Sequence, residues 1–248
     1  MNLKRVSAWA AFAVLGALNL TALAQAPNQP PKKEPPQPPA AQPPAPTTPP
    51  AQSMMVGKPA PEFVAKDLDG REHKLSGKKG KIVVLEWLSS NCTYCKTHLK
   101  DKKTMQNTFK EFKDKDVIWL GVASNASEVA NTEDLKKFAK DMDVNYPILV
   151  DTDGRIAQAF NARTTPHMFV IDKGGLIAYE GAIDSDPTMK DPKATNYVEQ
   201  ALQAVVDGSQ VVTASSKPYG SAIKLGPAGG ATKERQKEKE KGPGTGKP

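Results

Sequence analysis

The chain has 248 residues, a formal net charge of +7 and two cysteines. Two cysteines this close in sequence cannot close a long loop, which excludes a disulfide scaffold. The positive charge comes with no nucleic-acid-binding motif and sits partly in segments unable to fold, so no nucleic-acid partner is expected.

Residues 1–24 read as a signal peptide. Lys4 and Arg5 form a positive start, Ala8 to Leu20 is apolar, and Ala22-Leu23-Ala24 is a small-x-small cleavage pattern. A buried N-terminal helix and an uncleaved anchor are the alternatives; the membrane is a partner only if the segment stays uncleaved. Residues 25–53 form a Pro-rich linker: residues 27–50 are half proline, and proline has a fixed φ and no amide donor. An extended, disordered spacer is expected.

Apolar patterning is confined to residues 54–212, the expected folded domain. Phe63 to Lys66 and His73 to Leu75 flank Asp69-Gly70, a hairpin signal. Lys81 to Trp87 is a short apolar run of the kind buried on both faces of a sheet. Leu99, Met105, Phe109 and Phe112 carry helical spacing through Phe112, and Val117 to Val122 is a second buried strand. A helix starts at Asn131-Thr132-Glu133-Asp134 and buries Leu135, Phe138, Ala139 and Met142. Tyr146 to Val150 is a strand and Ile156 to Phe160 a short helix. His167 to Ile171 and Leu176 to Tyr179 form a hairpin around Lys173-Gly174-Gly175. A last helix carrying Tyr197, Ala201 and Val205 stops at Gly208. Residues 213–248 are a C-terminal extension, expected to be disordered from about 227. The order predicts an α/β fold: a central mixed sheet, helices on both faces and an N-terminal β-hairpin.

The chemistry concentrates in Cys92-Thr93-Tyr94-Cys95. The strand ending at Trp87 and the loop 88–91 place Cys92 at a helix start, where free backbone amides and the helix dipole favour a negative sulfur. The thiolate is the nucleophile. Cys95, one turn on, can close or resolve a disulfide. Structural zinc requires four ligands, and only His73, His98 and His167 accompany the two cysteines. A copper site of two thiolates and one histidine is the better metal alternative.

On these residues the chain resembles the thioredoxin superfamily, in its redoxin branch. The resemblance rests on Val56-Gly57-Lys58-Pro59-Ala60-Pro61-Glu62-Phe63, Val83 to Trp87, the Cys92–Cys95 motif, and Thr165-Pro166 before Phe169-Val170-Ile171-Asp172. Asn196-Tyr197 and Lys217-Pro218-Tyr219-Gly220 resemble a bacterial redoxin subgroup that often has a cysteine after Tyr-Gly; this chain has Ser221 there. The resemblance implies a thioredoxin-like redoxin domain, with Cys92 attacking, Cys95 resolving, and Thr165-Pro166 forming a cis-proline loop whose backbone pairs with a bound peptide.

Glu86 stands where thioredoxins keep a buried acid able to move the Cys95 proton, or it is a solvated strand-end glutamate. His167 tunes the thiolate or caps a strand. Trp87 and Tyr94 shield the sulfurs, Trp87 with a competing core role. Thus Cys92, Cys95, Glu86 and Pro166 are the candidate catalytic residues, and Thr165, Trp87, Tyr94 and His167 the candidate substrate-binding ones. No metal and no cofactor beyond the Cys92–Cys95 disulfide are implied.

The expected function is that of a thiol–disulfide oxidoreductase that is periplasmic or otherwise exported, or tethered by an uncleaved N-terminal anchor. It would act on exported cysteine-containing proteins and be recycled by a membrane redox partner. Two alternatives stand beside it. A peroxiredoxin-like peroxidase would use a Pro-x-x-x-Thr-x-x-Cys loop and an arginine; here Leu85, Ser89 and Pro166 occupy those places. A copper-binding chaperone is the other.

Overall fold

The computed structural model describes residues 55–226. The expected signal peptide, the whole Pro-rich linker and the stretch from 227 onward lie outside the described residues. Among the described residues, no helix is long and apolar enough to cross a membrane.

A short hairpin comes first, β1 (Val64–Lys66) paired antiparallel with β2 (Glu72–Lys74). Its turn is closed by Asp67, whose carboxylate accepts from the Asp69 and Arg71 amides at 2.9 Å and pairs with His73 Nε2 at 2.8 Å. Gly70 takes φ +82° there, a region open to glycine at little steric cost.

The central sheet is five-stranded, in the order β5-β4-β3-β7-β8. Strands β3 (Ile82–Trp87), β4 (Val117–Ala123) and β5 (Ile148–Val150) run parallel, while β7 (His167–Ile171) and β8 (Ile177–Gly181) are antiparallel. Every residue of β3 is buried, as its near-continuous apolar run predicts. Helices α2 (Thr104–Phe112), α4 (Thr132–Asp141) and α6 (Tyr197–Val206) cover one face, burying Met105, Phe112, Leu135, Phe138, Ala201 and Leu202. Helix α5 (Arg155–Ala159), with Phe63 and Leu75, covers the other. Burying each large apolar side chain contributes about 1.5–3 kcal/mol. The architecture is the mixed sheet covered on both faces that the element order predicts, and the thioredoxin-like one that the resemblance implies.

Three local departures shape the site. The helix expected to continue through Phe112 is broken. Helix α1 (Thr93–Lys96) passes into a π-helical turn, Thr97–Asp101, and Lys103 adopts φ +52° before α2 begins. Leu99 and Met105, on either side of the break, both enter the same core. A five-residue helix, α3 (Ala126–Ala130), follows β4. Finally, residues beyond 212 pack on the domain: β9 (Ser221–Ala222) pairs antiparallel with β6 (Thr164–Thr165).

Gly121 sits under the loop leaving β3. A Cβ there would meet Leu88 Cδ2 at 2.8 Å and Ile148 Cγ1 at 3.1 Å. The close approach fixes the height at which the chain leaves the sheet toward Cys92.

Candidate active site

Strand β3 ends at Trp87, and after four intervening residues Cys92 caps α1. The loop between is short and polar, and its donors need partners. Glu128 of α3, itself buried, collects them. One carboxylate oxygen accepts from Ser89 Oγ at 3.0 Å, the Ser90 amide at 2.6 Å, Ser90 Oγ at 2.5 Å and the Asn91 amide at 3.3 Å. The other accepts from Asn125 Nδ2 at 2.8 Å. Donors that would otherwise lie unsatisfied become a rigid support for the first cysteine.

Both cysteines are free thiols and fully buried. Cys92 Sγ donates to the Thr165 carbonyl at 2.8 Å and accepts from the Cys95 amide at 3.3 Å. The Thr165–Pro166 peptide bond is cis. The Cys92 pKa is pulled down to about 5, first by the Cys95 thiol and then, against burial, by Ser221, Thr165 and the Cys95 amide. Ionisation breaks the bond to the Thr165 carbonyl, since a thiolate cannot donate. What then holds the charge is the set of donors on its other sides. Cys95 moves the opposite way: burial, then Cys92 itself and the charge on Glu86, push its pKa well above the usual thiol value.

Glu86 lies on the cysteine side of the sheet. Its Oε2 accepts from Trp119 Nε1 at 2.8 Å and Tyr146 Oη at 2.7 Å. Its Oε1 is buried without a hydrogen-bond partner. Burial raises its pKa to about 7, against those two hydrogen bonds. Of the two readings open in the sequence, the structure has the buried acid and not the solvated one.

A family model described as the AhpC/TSA family matches residues 56–180. The chain belongs to the AhpC/TSA family. Within it, the thiol–disulfide oxidoreductase ResA of Bacillus thuringiensis is 31% identical over 129 residues, covering 52% of this chain and 70% of the relative. An uncharacterised conserved protein of Geobacillus kaustophilus superposes with a TM-score of 0.63 at 24% identity, over 72% of this chain and 96% of the other. A putative thiol:disulfide interchange protein DsbE from Chlorobium tepidum gives 0.51 at 23%, over 62% and 99%. This AhpC/TSA-family chain is a thiol–disulfide oxidoreductase on a thioredoxin-like fold.

Not every candidate residue joins the cysteines in this family member. Trp87 is fully buried on the opposite face of the sheet. It packs on Phe160 and Phe169 at 5.5 and 5.3 Å between ring centroids and donates to Ser124 Oγ at 3.1 Å. His167, opposite Trp87 in register, stacks 4.7 Å from Phe169 on that same face. Its Nδ1 accepts from the Arg163 amide at 3.3 Å, and burial pushes its pKa down to about 4. Neither ring reaches the sulfurs. Tyr94 does stay on the cysteine side, half-buried, 5.8 Å from the Tyr219 ring.

His98 is buried and committed. Its Nε2 pairs with Tyr219 Oη at 3.0 Å and its Nδ1 with Thr104 Oγ1 at 3.3 Å; Tyr219 in turn donates to Asp184. Among the described residues, no group of three or more His, Cys, Asp or Glu is arranged to hold a metal ion. Sequence reasoning missed Glu128, Asp184 and the contact of Ser221 with Cys92. The only sequence signals were an Asn-x-x-Glu helix start at Asn125 and the Tyr219-Gly220 dipeptide.

Proposed function

We propose that Cys92 attacks and Cys95 resolves, in disulfide exchange with exported cysteine-containing proteins. The observation that carries this reading is the placement of two buried free thiols one turn apart at the start of α1, the Cys95 amide donating to Cys92 Sγ at 3.3 Å beside the cis Thr165–Pro166 bond; the Cys92 pKa is drawn down to about 5 and that of Cys95 pushed up. At neutral pH Cys92 is the thiolate and Cys95 keeps its proton.

In the reducing direction, Cys92 Sγ bonds to one sulfur of a substrate disulfide. The substrate S–S bond breaks, and the other sulfur leaves as a thiolate. Cys95 then gives its proton to the Glu86 carboxylate and attacks Cys92 Sγ. The mixed disulfide breaks, the internal Cys92–Cys95 disulfide forms, and the second substrate thiolate departs. Two electrons have passed to the substrate. Oxidation of a dithiol runs the same steps backward. Thr165 and Pro166 border the sulfur, and the Thr165 backbone edge lines up the incoming peptide. Tyr94 shields one side.

Residues 1–24 carry the export signal, which places this chemistry in the periplasm, and a membrane redox partner restores the cysteine pair. The Cys92–Cys95 reduction potential sets the direction: near about −270 mV it is a reductant, near about −120 mV an oxidant. The deciding experiment is insulin reduction with dithiothreitol. Cys92→Ser abolishes turnover, and Cys95→Ser accumulates mixed disulfides; full turnover by Cys92→Ser would overturn the assignment.

A further inference from the structure

A reactive sulfur must be reached, yet Cys92 is 0% exposed. Part of its cover comes from the chain's own C-terminal segment. β9 pairs antiparallel with β6, Ser221 opposite Thr165 and Ala222 opposite Thr164. Thr165 is the residue whose carbonyl faces the sulfur. Ser221, opposite Thr165 in the ladder, is one of the groups that hold the Cys92 pKa down. The edge beside the sulfur is thus already filled by a strand.

The pairing is close enough to dictate sequence. A Cβ on Gly220 would lie 2.1 Å from the Thr165 carbonyl oxygen, and Gly220 has φ +140°. Only glycine lets this backbone lie flat on the cis-proline strand. The segment is fastened on both sides of that contact. Before it, Ser216 accepts from the Ala182 amide at 2.9 Å and bonds Tyr179 Oη at 2.7 Å, while Tyr219 engages His98 and Asp184. After it, the Ile223 amide donates to the Arg163 carbonyl at 2.9 Å, and the Lys224 amide to Asn125 Oδ1 at 2.8 Å. Between these fastenings lies a two-residue strand with Ser221 half-buried and Ala222 exposed. Ser221 and Ala222 bury little apolar surface of their own, the mark of a locally separable strand, while Tyr219 and Ile223 on either side rest on the two cores.

We propose that residues 213–226 are an internal occupant of the polypeptide edge, and that an extended cysteine-bearing peptide binds by exchanging with β9 on Thr164–Thr165. The inference rests on Cys92 being the attacking thiol. It adds that the resting protein holds a strand of its own where the substrate strand goes, with Ser221 in the place of the substrate's cysteine. Release of the strand is the event that admits a polypeptide disulfide.

The test uses the full chain. In Cys95→Ser, Cys92 is reacted with an extended peptide whose single cysteine is activated as a thionitrobenzoate disulfide. Amide hydrogen exchange is then compared with the free protein. Exchange across residues 214–224 is expected to rise by about tenfold or more while β3 and β4 keep their protection. A trapped mixed disulfide that leaves 214–224 protected overturns the proposal. Failure to form any mixed disulfide overturns the Cys92 assignment instead, and occupancy is then decided without substrate. Gly220→Val, which displaces β9, is expected to speed iodoacetamide modification of Cys92 by about tenfold at a pH where the thiol is ionised. An unchanged rate in a variant with a native near-ultraviolet spectrum overturns occupancy. Should Gly220→Val fail to fold, Ser221→Cys with Cys95→Ser is expected to oxidise to a bridge between the introduced thiol and Cys92. Absence of that bridge in the native protein overturns it.

Discussion

The Thr165 carbonyl oxygen lies 2.8 Å from Cys92 Sγ, so the backbone leading into Pro166 offers the sulfur an acceptor. The thiol form satisfies that acceptor; the thiolate form does not. The thiolate is therefore held by the Cys95 thiol and amide and by the hydroxyls of Ser221 and Thr165. Burial alone would raise the pKa of this sulfur, and it is the donors that win.

Cys92 should alkylate with a midpoint near pH 5, followed by thiolate ultraviolet absorbance and iodoacetamide rate together. Its folded pKa lies below the thiol value of 9.0. The stability Cys92 adds to the reduced protein is therefore complete above about pH 9 and lost as pH falls through 5. Ser221→Ala removes one donor and should raise the midpoint by about one unit. A midpoint near 9 in the wild type would refute the arrangement.

Glu86 behaves oppositely. Its folded pKa of about 7 lies above the ordinary 4.5. The stability it contributes is complete below pH 4.5 and lost as pH rises through 7. Glu86→Gln keeps an acceptor for Trp119 and Tyr146 but cannot take a proton. Between about pH 4.5 and pH 8, its unfolding free energy should gain on the wild type by about 3 kcal/mol. Resolution of a Cys92 mixed disulfide by Cys95 should slow by about 100-fold. Urea titrations and stopped-flow release of a bound thiol measure the two effects; unchanged resolution removes Glu86 from the proton path.

Glu128 touches no sulfur, yet its carboxylate holds the loop before Cys92. Glu128→Ala leaves the donors of Ser89, Ser90 and Asn91 without their acceptor and should cost about 2–4 kcal/mol. Disulfide exchange should slow through misplacement of Cys92. Glu128→Gln, which keeps an acceptor, should recover most of both. Equal losses in the two variants would point to charge and not to loop support.

The sheet and the cysteine pair were legible because their signals are local and dense. β3 is apolar at nearly every position since it is covered on both faces, and only Glu86 interrupts it. The face of each side chain was legible in principle from strand alternation: if Glu86 lies beside the cysteines, Trp87 must face away. His167 follows Trp87 by register, but register is a pairing that the sequence does not print. β6 and β9 were invisible because two residues cannot display a period. The break at Lys103 was hidden because apolar spacing through Phe112 looks helical on either side of it. The C-terminal segment reads as polar and was expected to be mere extension; it is fixed by hydrogen bonds through Ser216, Tyr219 and Ile223 that composition does not reveal.

His167 supplies the sharpest separation between proximity in sequence and proximity in space. It directly follows Pro166, yet its ring lies across the sheet from Cys92, packed on Phe169. It is a base whose pKa is pushed below the ordinary 6.5, to about 4, by burial. The stability that this neutral ring contributes is complete above pH 6.5 and lost as pH falls through 4. His167→Phe removes a buried nitrogen that has no partner, Nε2, at the loss of the bond from the Arg163 amide. The variant should therefore unfold at lower pH than the wild type, with the pH dependence between 6.5 and 4 flattened by up to about 3 kcal/mol. Insulin reduction at neutral pH should stay within about twofold, because the ring exerts only a distant influence on the sulfur. A tenfold loss of exchange in a variant of native stability would mean that the sheet transmits the state of His167 to Cys92, and that the face it occupies does not isolate it.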